Sequence, residues 1–547
     1  MNHSALYKII RFSGVFVILL ALLTVPIGCS SDDGDDVVIE DDSSAVDDDT
    51  TNSGDIVIKD TNPAGTAEGD TDNTGADEDD LVENATFENT VQIVFSETSA
   101  TITNPVPNDV VITQDGADVT INSAISKVAY EVSGTTTDGM LKIYSDKKFK
   151  LSLSDLSITN TDGPAINVQS SKTIFVILEG TNNLTDASSY SNIPDEEDAK
   201  AAFFSEGQLV FSGSGALNVA GNYKHGIASD DYVRVISGTI TVTEAASDAI
   251  HTNDYIIVDG GTLNLTADSD GMDCDEGYII INDGTFSINA VDDGIAASYD
   301  IDDEEEPDDS ITPYVTINGG TIGITTSEGE GMEAKGTLTI NDGTININSY
   351  DDGLNAGDDI YINGGNIYVY TTLNDAIDSN GGMTITGGTT IAIATRVDEP
   401  DGSFDCDDNT FKITGGTILG LGLNTSFPTE SESTQNSVIF DGVNANQLLN
   451  IQSEDGTEAL TYEVPNSVVT IIYSNAKLET GETYTIYTGG SVSNGTQING
   501  LYTSGTYSGG TDSGDSFTIN STVTQIGGEM GPTGEGGAGG LGGPGGN

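Results

Sequence analysis

The sequence contains a repeat of about 23 residues in which a glycine is followed, with one exception, by threonine. Five of the seven intervals between successive glycines measure 22 or 23 residues. A period this short leaves no room for two packed helices, so each repeat must bury its apolar face against its neighbours. The repeat therefore predicts a solenoid. Its glycines are Gly238, Gly261, Gly284, Gly320, Gly343, Gly365, Gly388 and Gly416.

Apolar residues alternate on both sides of each glycine, as Ile256 and Val258 do before Gly261 and Leu263 and Leu265 do after it. This alternation is typical of β-strands. A third short segment, such as Gly271-Met272, opens each repeat. The pattern predicts an all-β parallel β-helix with three short strands per rung of about 23 residues. Glycine at the corners permits a positive φ.

The chain begins with basic residues, an apolar run from Val15 to Val25, and then Cys29. This order predicts a lipoprotein signal peptide over residues 1–29, with Cys29 acylated as the mature N-terminus. The alternative is an ordinary secretory signal with a leftover cysteine. The acidic residues after Cys29 resemble the tag that sends lipoproteins to the surface of Bacteroidetes-type bacteria. We expect a bacterial outer-membrane or cell-surface location, with membrane contact through the lipid anchor only.

The rest of the chain divides by composition. Residues 30–87 are acidic and predict a disordered tether, and the glycine-rich residues 527–547 predict a disordered tail. Residues 88–526 form the predicted β-helix domain, with N-terminal rungs and a cap over 88–200, regular rungs over 201–420 and a closing region over 421–526. The segments 187–200 and 299–313 exceed the repeat and are interpreted as acidic loops, either solvated or acting as lids.

The charge excludes one class of partner. The chain has 88 acidic and 16 basic residues, a net charge of −72, whereas nucleic-acid binding needs clustered Lys and Arg. We expect a monomer. Three cysteines exclude a disulfide framework. Cys274 and Cys406 fall in one inward column but five rungs apart, so they are predicted to be free, buried thiols.

Acidic residues recur just before and just after the corner that opens each repeat, in a column headed by His225. Carboxylates on rungs about 4.8 Å apart repel by roughly 3 kcal/mol at an effective dielectric of 20. Oxygen ligands without a His or Cys cluster favour Ca²⁺, and the best cluster joins Asp270, Asp273 and Asp275 with Asp248 and Asp293. The alternative is that these aspartates cap turns. The candidate ligands are Asp248, Asp270, Asp273, Asp275, Asp293, Glu330, Glu333, Asp352, Asp375 and Asp378.

A tyrosine precedes the corner glycine by six residues in four successive repeats, at Tyr232, Tyr255, Tyr278 and Tyr314. This position faces outward, because the inward residues lie one and three places later. One hypothesis is a strip on which a polysaccharide lies, with its C–H faces against the rings. The alternative is a ladder that stabilises the sheet by aromatic stacking.

The rungs from Asp248-Ala249-Ile250 to Asp293-Gly294-Ile295 resemble a bacterial carbohydrate-binding domain family with a calcium-binding, right-handed parallel β-helix. The segments 221–227 and 483–490 share this resemblance. The family is similar to pectate lyases of polysaccharide lyase family nine, and the likeness covers roughly residues 88–526. It implies a surface protein that binds plant-type polysaccharides, acidic ones included, with calcium held by rung carboxylates.

Three functions remain open at this stage. The first is non-catalytic polysaccharide binding. The second is a calcium-dependent, pectate-lyase-like enzyme, which needs a Lys or Arg base beside a calcium-bound uronate, and Lys335 is the best candidate base. The third is a structural adhesin or stalk. Three histidines in total and no readable Ser/His/Asp triad argue against histidine-based catalysis.

Overall fold

The structure is a computed structural model that describes residues 53–57, 64–191, 193–194, 197–299, 312–396, 401–527 and 529–530. Cys29, most of the 299–313 loop and nearly all of the glycine-rich tail lie outside these residues. The described chain is almost entirely β-strand and loop. Its two helices are three-residue 3₁₀ turns, Glu78–Asp80 and Val82–Asn84, and neither has the length or apolar character needed to cross a membrane.

The strands are numbered in chain order. The N-terminal strands are β1 Ser53–Val57, β2 Asn89–Glu97, β3 Ser99–Thr103, β4 Val110–Asp115, β5 Asp118–Ser123, β6 Val128–Thr136, β7 Met140–Ser145, β8 Phe149–Thr159, β9 Ile166–Gln169, β10 Ile174–Glu179, β11 Thr181–Thr185, β12 Ala201–Ser205, β13 Leu209–Gly213 and β14 Ala216–Gly221. The strands of the regular repeats are β15 His225–Ser229, β16 Tyr232–Val235, β17 Thr239–Ala245, β18 Ile250–Thr252, β19 Tyr255–Val258, β20 Thr262–Ala267, β21 Met272–Cys274, β22 Tyr278–Ile281, β23 Thr285–Ala290, β24 Ile295–Ala297, β25 Tyr314–Ile317, β26 Thr321–Thr326, β27 Met332–Ala334, β28 Thr337–Ile340, β29 Thr344–Ser349, β30 Leu354–Ala356, β31 Ile360–Ile362, β32 Asn366–Thr371, β33 Ile377–Ser379, β34 Met383–Ile385, β35 Thr389–Ala394, β36 Phe411–Ile413 and β37 Thr417–Gly422. The C-terminal strands are β38 Asn424–Thr425, β39 Ser437–Asp441, β40 Gln447–Ser453, β41 Glu458–Val464, β42 Thr470–Ser474, β43 Thr483–Thr488, β44 Ser491–Ile498, β45 Leu501–Ser508, β46 Thr511–Thr518, β47 Val523–Gln525 and β48 Glu529–Met530.

The repeats stack as long parallel sheets. β18 pairs with β21, β19 with β22 and β20 with β23, so each strand lies against the equivalent strand of the next repeat. One sheet has 12 strands and runs from β33 back to β4 through β30, β27, β24, β21, β18, β15, β12, β9, β7 and β5. This all-β, parallel architecture has the solenoid-like form that the repeat predicts.

The repeated glycine has the predicted backbone conformation. All eight corner glycines have φ between 73° and 128°, a region that side chains with a Cβ rarely adopt. The alternating apolar residues on either side, such as Ile256 and Leu263, are fully buried between the sheets. Cys274 and Cys406 are buried in the same core as free thiols, which confirms the cysteine prediction.

Antiparallel strands close both ends of the stack. At the N-terminal end, β3 folds back on β2 and β4 on β5. At the C-terminal end, β42 pairs antiparallel with β37, the last strand of the repeats, and with β39. A separate seven-stranded sheet holds β1, β40, β41, β43, β44, β45 and β46. Open sheet edges invite aggregation, and these closing strands cover them.

Residues 64–87, here called the N-terminal strap, lie along the repeats where the sequence predicts a tether. Four asparagines, one per rung, each donate one amide hydrogen to a strap carbonyl and the other to an oxygen on the preceding rung. Composition suggested disorder because the strap is acidic, but its backbone supplies the acceptors that this asparagine ladder needs. The strap bonds are Asn282 to Thr74 (2.9 Å), Asn318 to Asn73 (2.7 Å), Asn341 to Asp70 (2.8 Å) and Asn363 to Glu68 (2.8 Å).

A buried ion pair fixes the far end of the strap. The Arg234 guanidinium donates to Asp259 at 2.7 Å and to the Gly75 carbonyl at 2.8 Å, and it lies 3.3 Å from the Asp80 carboxylate. Asp80 also accepts a 2.5 Å hydrogen bond from the hydroxyl of Tyr232. The strap is therefore anchored by side chains that the repeats present.

Candidate functional site

The predicted acidic residues lie together on one side of the 12-stranded sheet, here called the carboxylate face. Strand register places His251 against Asp273, and Asn355 against Asp378, on successive rungs. Asp378 is bridged in turn to Asp405. The corner column runs beside these strands through His225, Asp248, Asp270, Asp293, Glu330, Asp352 and Asp375.

The corner aspartates do accept bonds from backbone N–H groups, as the alternative interpretation predicts, but each of these N–H groups lies on the next rung rather than in the same turn. Oδ1 of Asp270 accepts the backbone N–H of Asp293 at 2.7 Å, and Oδ1 of Asp293 accepts that of Glu330 at 2.7 Å. Oδ1 of Asp352 accepts the N–H of Asp375 at 2.8 Å. Each carboxylate thus uses one oxygen to join two rungs, and Oδ2 of Asp270 also accepts a 3.3 Å bond from the Ser269 hydroxyl. A carboxylate oxygen can accept more than one contact, so these bonds and cation binding are compatible in the same residues.

The carboxylate face is electrostatically strained. Burial, reinforced by the charges of Asp248 and Asp273, raises the pKa of Asp270 well above the usual aspartate value. Burial and the neighbouring Asp378 and Asp375 do the same to the pKa of Asp352. Burial and the charge of Asp405 raise the pKa of Asp378 to about 7. Such shifts mean that several carboxylates are costly to ionise together without a cation.

Among the described residues, three groups on this face contain only oxygen ligands, and one of them, Asp248, Asp270 and Asp273, belongs to the predicted cluster. In the group Asp270, Asp292 and Asp293, one carboxylate oxygen from each residue lies within 4.8 Å of the others. The group Asp375, Asp378 and Asp405 has the same property. These last two groups include Asp292 and Asp405, which were not among the candidate ligands. Hard oxygen donors of this kind suit Ca²⁺.

The expectation that no histidine cluster exists is wrong at the N-terminal end of the carboxylate face. His225 and His251 stack with ring centroids 4.1 Å apart and planes inclined by 7°. Oδ2 of Asp248 lies 2.9 Å from Nδ1 of His225 and 3.4 Å from Nδ1 of His251. The repeat pattern of the acidic residues does not include His251, which the sequence analysis therefore missed.

The pKa values of the two histidines are shifted in opposite directions. Burial lowers the pKa of His225 to about 4, which outweighs the nearby Asp248 carboxylate. Burial also opposes the charged form of His251, but its contacts with Asp248 and Asp273 prevail and raise its pKa to about 9. The cluster therefore holds a neutral imidazole next to one that attracts positive charge.

Glu333 and Lys335 form an ion pair on the same face. Burial disfavours the charged form of Lys335, yet the Glu333 carboxylate outweighs burial and raises the pKa of the amine. A lysine acting as a base in β-elimination needs a neutral amine, hence a lowered pKa. The pairing makes Lys335 a poor base in this arrangement.

The four predicted tyrosines do form one stacked column. Successive ring centroids lie 4.3, 4.7 and 4.7 Å apart, with planes within 12° of parallel. Each inner ring therefore covers the face of its neighbour, and no inner face is left for a sugar. The strap also crosses the column, where it bounds a cleft of about 430 Å³ with Tyr255 and Tyr278. This geometry matches the sheet-stabilising ladder rather than the sugar-stacking strip.

Two other tyrosines present open surface beside the carboxylates. Tyr223 is 45% exposed and Tyr350 is 42% exposed, and both precede a corner by the same number of residues, five rungs apart. One face of Tyr223 stacks on Tyr190 at 4.2 Å, which holds the ring in place. These residues were missed because they recur only twice, so no periodic pattern points to them.

The described part of the 187–200 loop packs on the solenoid. Ile193 and Tyr190 contact the buried residues Ala199 and Phe204, and the Glu197 carboxylate lies 2.5 Å from the amine of Lys142. Tyr190 donates a 2.6 Å hydrogen bond to Asp186. The loop therefore supports the platform under Tyr223.

A family described as carbohydrate-binding domain-containing protein matches residues 115–373 and 303–402. A carbohydrate-binding domain-containing protein of Acetivibrio thermocellus is 32% identical over 118 residues, which is 21% of this chain and 41% of the relative. The chain thus matches less than half the length of that curated relative.

A solved structure is also similar. It is described as a polysaccharide lyase-like protein from C. thermocellum and shares 25% sequence identity, with a TM-score of 0.40, over 46% of this chain and 96% of that one. The family match spans more than half of the 547 residues, and the chain therefore belongs to the carbohydrate-binding domain-containing protein family.

Proposed function

We propose that this chain is a non-catalytic surface lipoprotein that binds polysaccharide, plant-type or acidic, through calcium ions held on the carboxylate face. Family membership supports a carbohydrate ligand. The observation that carries the calcium proposal is the run of carboxylates whose pKa values are raised by burial and by one another. A divalent cation relieves that repulsion and presents positive charge on an otherwise strongly acidic surface.

The proposed calcium sites are two of the three oxygen-only groups, Asp270/Asp292/Asp293 and Asp375/Asp378/Asp405. In the first group Asp292 is exposed, so an ion there has open coordination positions toward solvent. Calcium takes six to eight oxygen ligands, and three side chains leave several positions for water or a sugar carboxylate. A uronate polymer would complete the coordination. This bridging explains how a chain of net charge −72 can hold an acidic glycan.

The exposed tyrosines provide the proposed sugar platforms. Tyr223 and Tyr350 lie in the same register five rungs apart, about 24 Å at the usual strand spacing, with the corner column alongside. Tyr350→Ala is expected to weaken polysaccharide binding about three- to tenfold, because one aromatic contact contributes about 1 kcal/mol. Tyr255→Ala is the matched control, since its ring faces are covered in the ladder. Equal weakening by both variants would refute this platform.

The same proposal covers the strand arrangement within each rung, the lipid anchor and the location of the chain. Pairing of each strand with its equivalent in the next repeat supports a parallel β-helix with three short strands per rung, and the usual hand of parallel crossover connections makes it right-handed. The N-terminal sequence supports acylation at Cys29, an outer-membrane or surface location and a monomer tethered by its lipid. Lipid labelling that persists in Cys29→Ser would contradict the anchor.

A calcium-dependent lyase is the second candidate function, because Lys335 lies on the carboxylate face. Its raised pKa and its pairing with Glu333 favour binding over catalysis. Incubation of the calcium-loaded chain with polyuronate distinguishes the two functions. The binding proposal predicts no absorbance from 4,5-unsaturated uronide, and sustained growth of that absorbance, lost in Lys335→Ala, would establish the lyase. A chain that retains no polysaccharide would favour the structural stalk.

A further inference from the structure

A lysine heads the strand column of the carboxylate face. The register of successive rungs carries this column through Lys142, Asn167, Phe204, Ala228, His251 and Asp273. At the usual strand spacing, Lys142 lies about 24 Å from Asp273 along the stack. A buried ammonium group therefore lies at the N-terminal end of the same face that carries the proposed calcium sites.

Lys142 and Tyr144 hold one carboxylate between them. The Lys142 amine lies 2.5 Å from Oε2 of Glu197, and the Tyr144 hydroxyl donates a hydrogen bond to Oε1. Both donors project from β7, whereas Glu197 belongs to the 187–200 loop. Burial, with the hydrogen bond to Glu197 and its charge, raises the pKa of Tyr144, so its hydroxyl stays protonated as a donor. Two donors directed at the two oxygens of one group recognise a carboxylate.

Asn167 supplies an independent observation. The residue is fully buried, and its register with Lys142 places both side chains on the same side of the sheet. Oδ1 of Asn167 accepts a 2.7 Å hydrogen bond from Gln169, which fixes the orientation of the amide. Among the described residues, Nδ2 of Asn167 has no hydrogen-bond partner. Buried donors of this kind are rare because they lose their bonds to water. The pocket thus has one more donor than the Glu197 carboxylate uses.

Glu197 is the outer member of the pair and is not the only contact that holds its loop. Its side chain is 12% exposed, against 7% for Lys142. Separate apolar contacts fix the loop, in which Tyr190 and Ile193 pack against buried residues that include Phe204. The Glu197 side chain can therefore turn outward while these contacts remain, which would leave the Lys142 amine open to another carboxylate.

We propose that Lys142, Tyr144 and Asn167 form a carboxylate-binding subsite for an acidic sugar, and that Glu197 fills this subsite in the free chain. The sugar carboxylate replaces the Glu197 carboxylate between the amine and the phenol. The ring or hydroxyl oxygen next to a uronate carboxylate then accepts the remaining N–H of Asn167, which Glu197 cannot do. The subsite needs no calcium. The inference rests on the proposed function only in taking an acidic glycan as the ligand.

Calorimetric titration of the full chain with a short oligogalacturonate in EDTA tests the subsite without any calcium bridge. Glu197→Ala should bind the oligomer about tenfold or more tightly than the wild type, because the ligand no longer competes with an internal carboxylate. Asp198→Ala is the matched control, since it removes an exposed acidic residue of the same loop and the same charge. Adding Lys142→Ala to Glu197→Ala should abolish the gain, and a neutral oligogalactose should bind to none of these chains.

Glu197→Gln guards against an alanine variant that fails to fold, because it keeps the size of the side chain and removes only its charge. It should also bind the oligogalacturonate more tightly than the wild type in EDTA. Equal affinity of the Glu197 variants and Asp198→Ala, or equal binding of the neutral oligomer, overturns the proposal. The calcium sites are tested separately by the wild-type chain in calcium, so failure of either assignment is distinguishable from failure of the other.

Discussion

Asp378→Asn should make the chain more stable without calcium, although it removes a charged residue from a folded site. Asp378 lies between Asp375 and Asp405 and is only partly accessible to solvent. Its pKa rises from 3.8 to about 7 on folding. Because the folded-state pKa is above the unfolded one, the ionised carboxylate destabilises the fold at every pH above about 7, and the penalty fades as the pH falls.

The size of the effect follows from the shift. A difference of about three pKa units, at 1.4 kcal/mol each, gives a penalty on the order of 4 kcal/mol at about pH 8. Asparagine never ionises, so Asp378→Asn should recover much of this free energy in EDTA. The same change removes a calcium ligand, so the gain on adding calcium should shrink.

Thermal unfolding followed by circular dichroism at about pH 8, in EDTA and in excess calcium, measures both effects. Asp378→Asn should melt several degrees above the wild type in EDTA and respond less to calcium than the wild type, because only the Asp375/Asp378/Asp405 site is lost. Asp408→Asn is the control, because it makes the same substitution at an exposed site two residues from Cys406 and should change neither value. A variant less stable than the wild type in EDTA, with an unchanged calcium response, would refute the reasoning.

Three further predictions test the fold and its electrostatics. The melting temperature of the wild-type chain in EDTA should rise as the pH falls from about 8 to about 5.5, since the raised carboxylate pKa values favour protonation in the folded state. Calcium should flatten this profile. A flat profile in EDTA would contradict the repulsion among the carboxylates. Arg234→Ala should lower the free energy of unfolding by about 3–5 kcal/mol, because it leaves the buried Asp80 without its ion pair. Lys127→Ala breaks an exposed ion pair and should lower it by less than about 1 kcal/mol. Chemical denaturation measures both values. Cys274 and Cys406 should react with a thiol reagent only after unfolding, and a disulfide between them in mass spectra would show that the register is incorrect.

Most of the fold could be predicted from the repeat because the geometry of each repeat is set by neighbouring residues. A glycine with positive φ must turn the chain, and residues such as Ile256 and Leu263 on either side must then face one core. Register along the stack follows from the period alone. The acidic column was predictable for the same reason, since one residue per rung at a fixed position must form a line.

Features without a period could not be found in this way. The N-terminal strap has an acidic, polar composition, and its order comes from partners far away in sequence, such as Arg234 and Asn341. His251 belongs to the strand column and His225 to the corner column, yet their rings stack and both contact Asp248. The pattern of one residue type on successive rungs therefore missed a cluster made of two types.

The tyrosine column shows that a correct pattern does not by itself decide between two kinds of chemistry. The four residues line up as predicted, but a spacing of 4.3–4.7 Å is the stacking distance of the rings themselves. Neighbours thus occupy the surfaces that a sugar needs. Tyr350, which has no aromatic neighbour in its column on the next rung, keeps its ring available.

Calorimetric titration of the full chain with a polyuronate, in calcium and again in EDTA, tests the central claim most directly. The account predicts saturable binding in calcium that disappears in EDTA and returns when calcium is restored, because the ion bridges two acidic partners. Binding of equal strength in EDTA, or no binding in either condition, would contradict it.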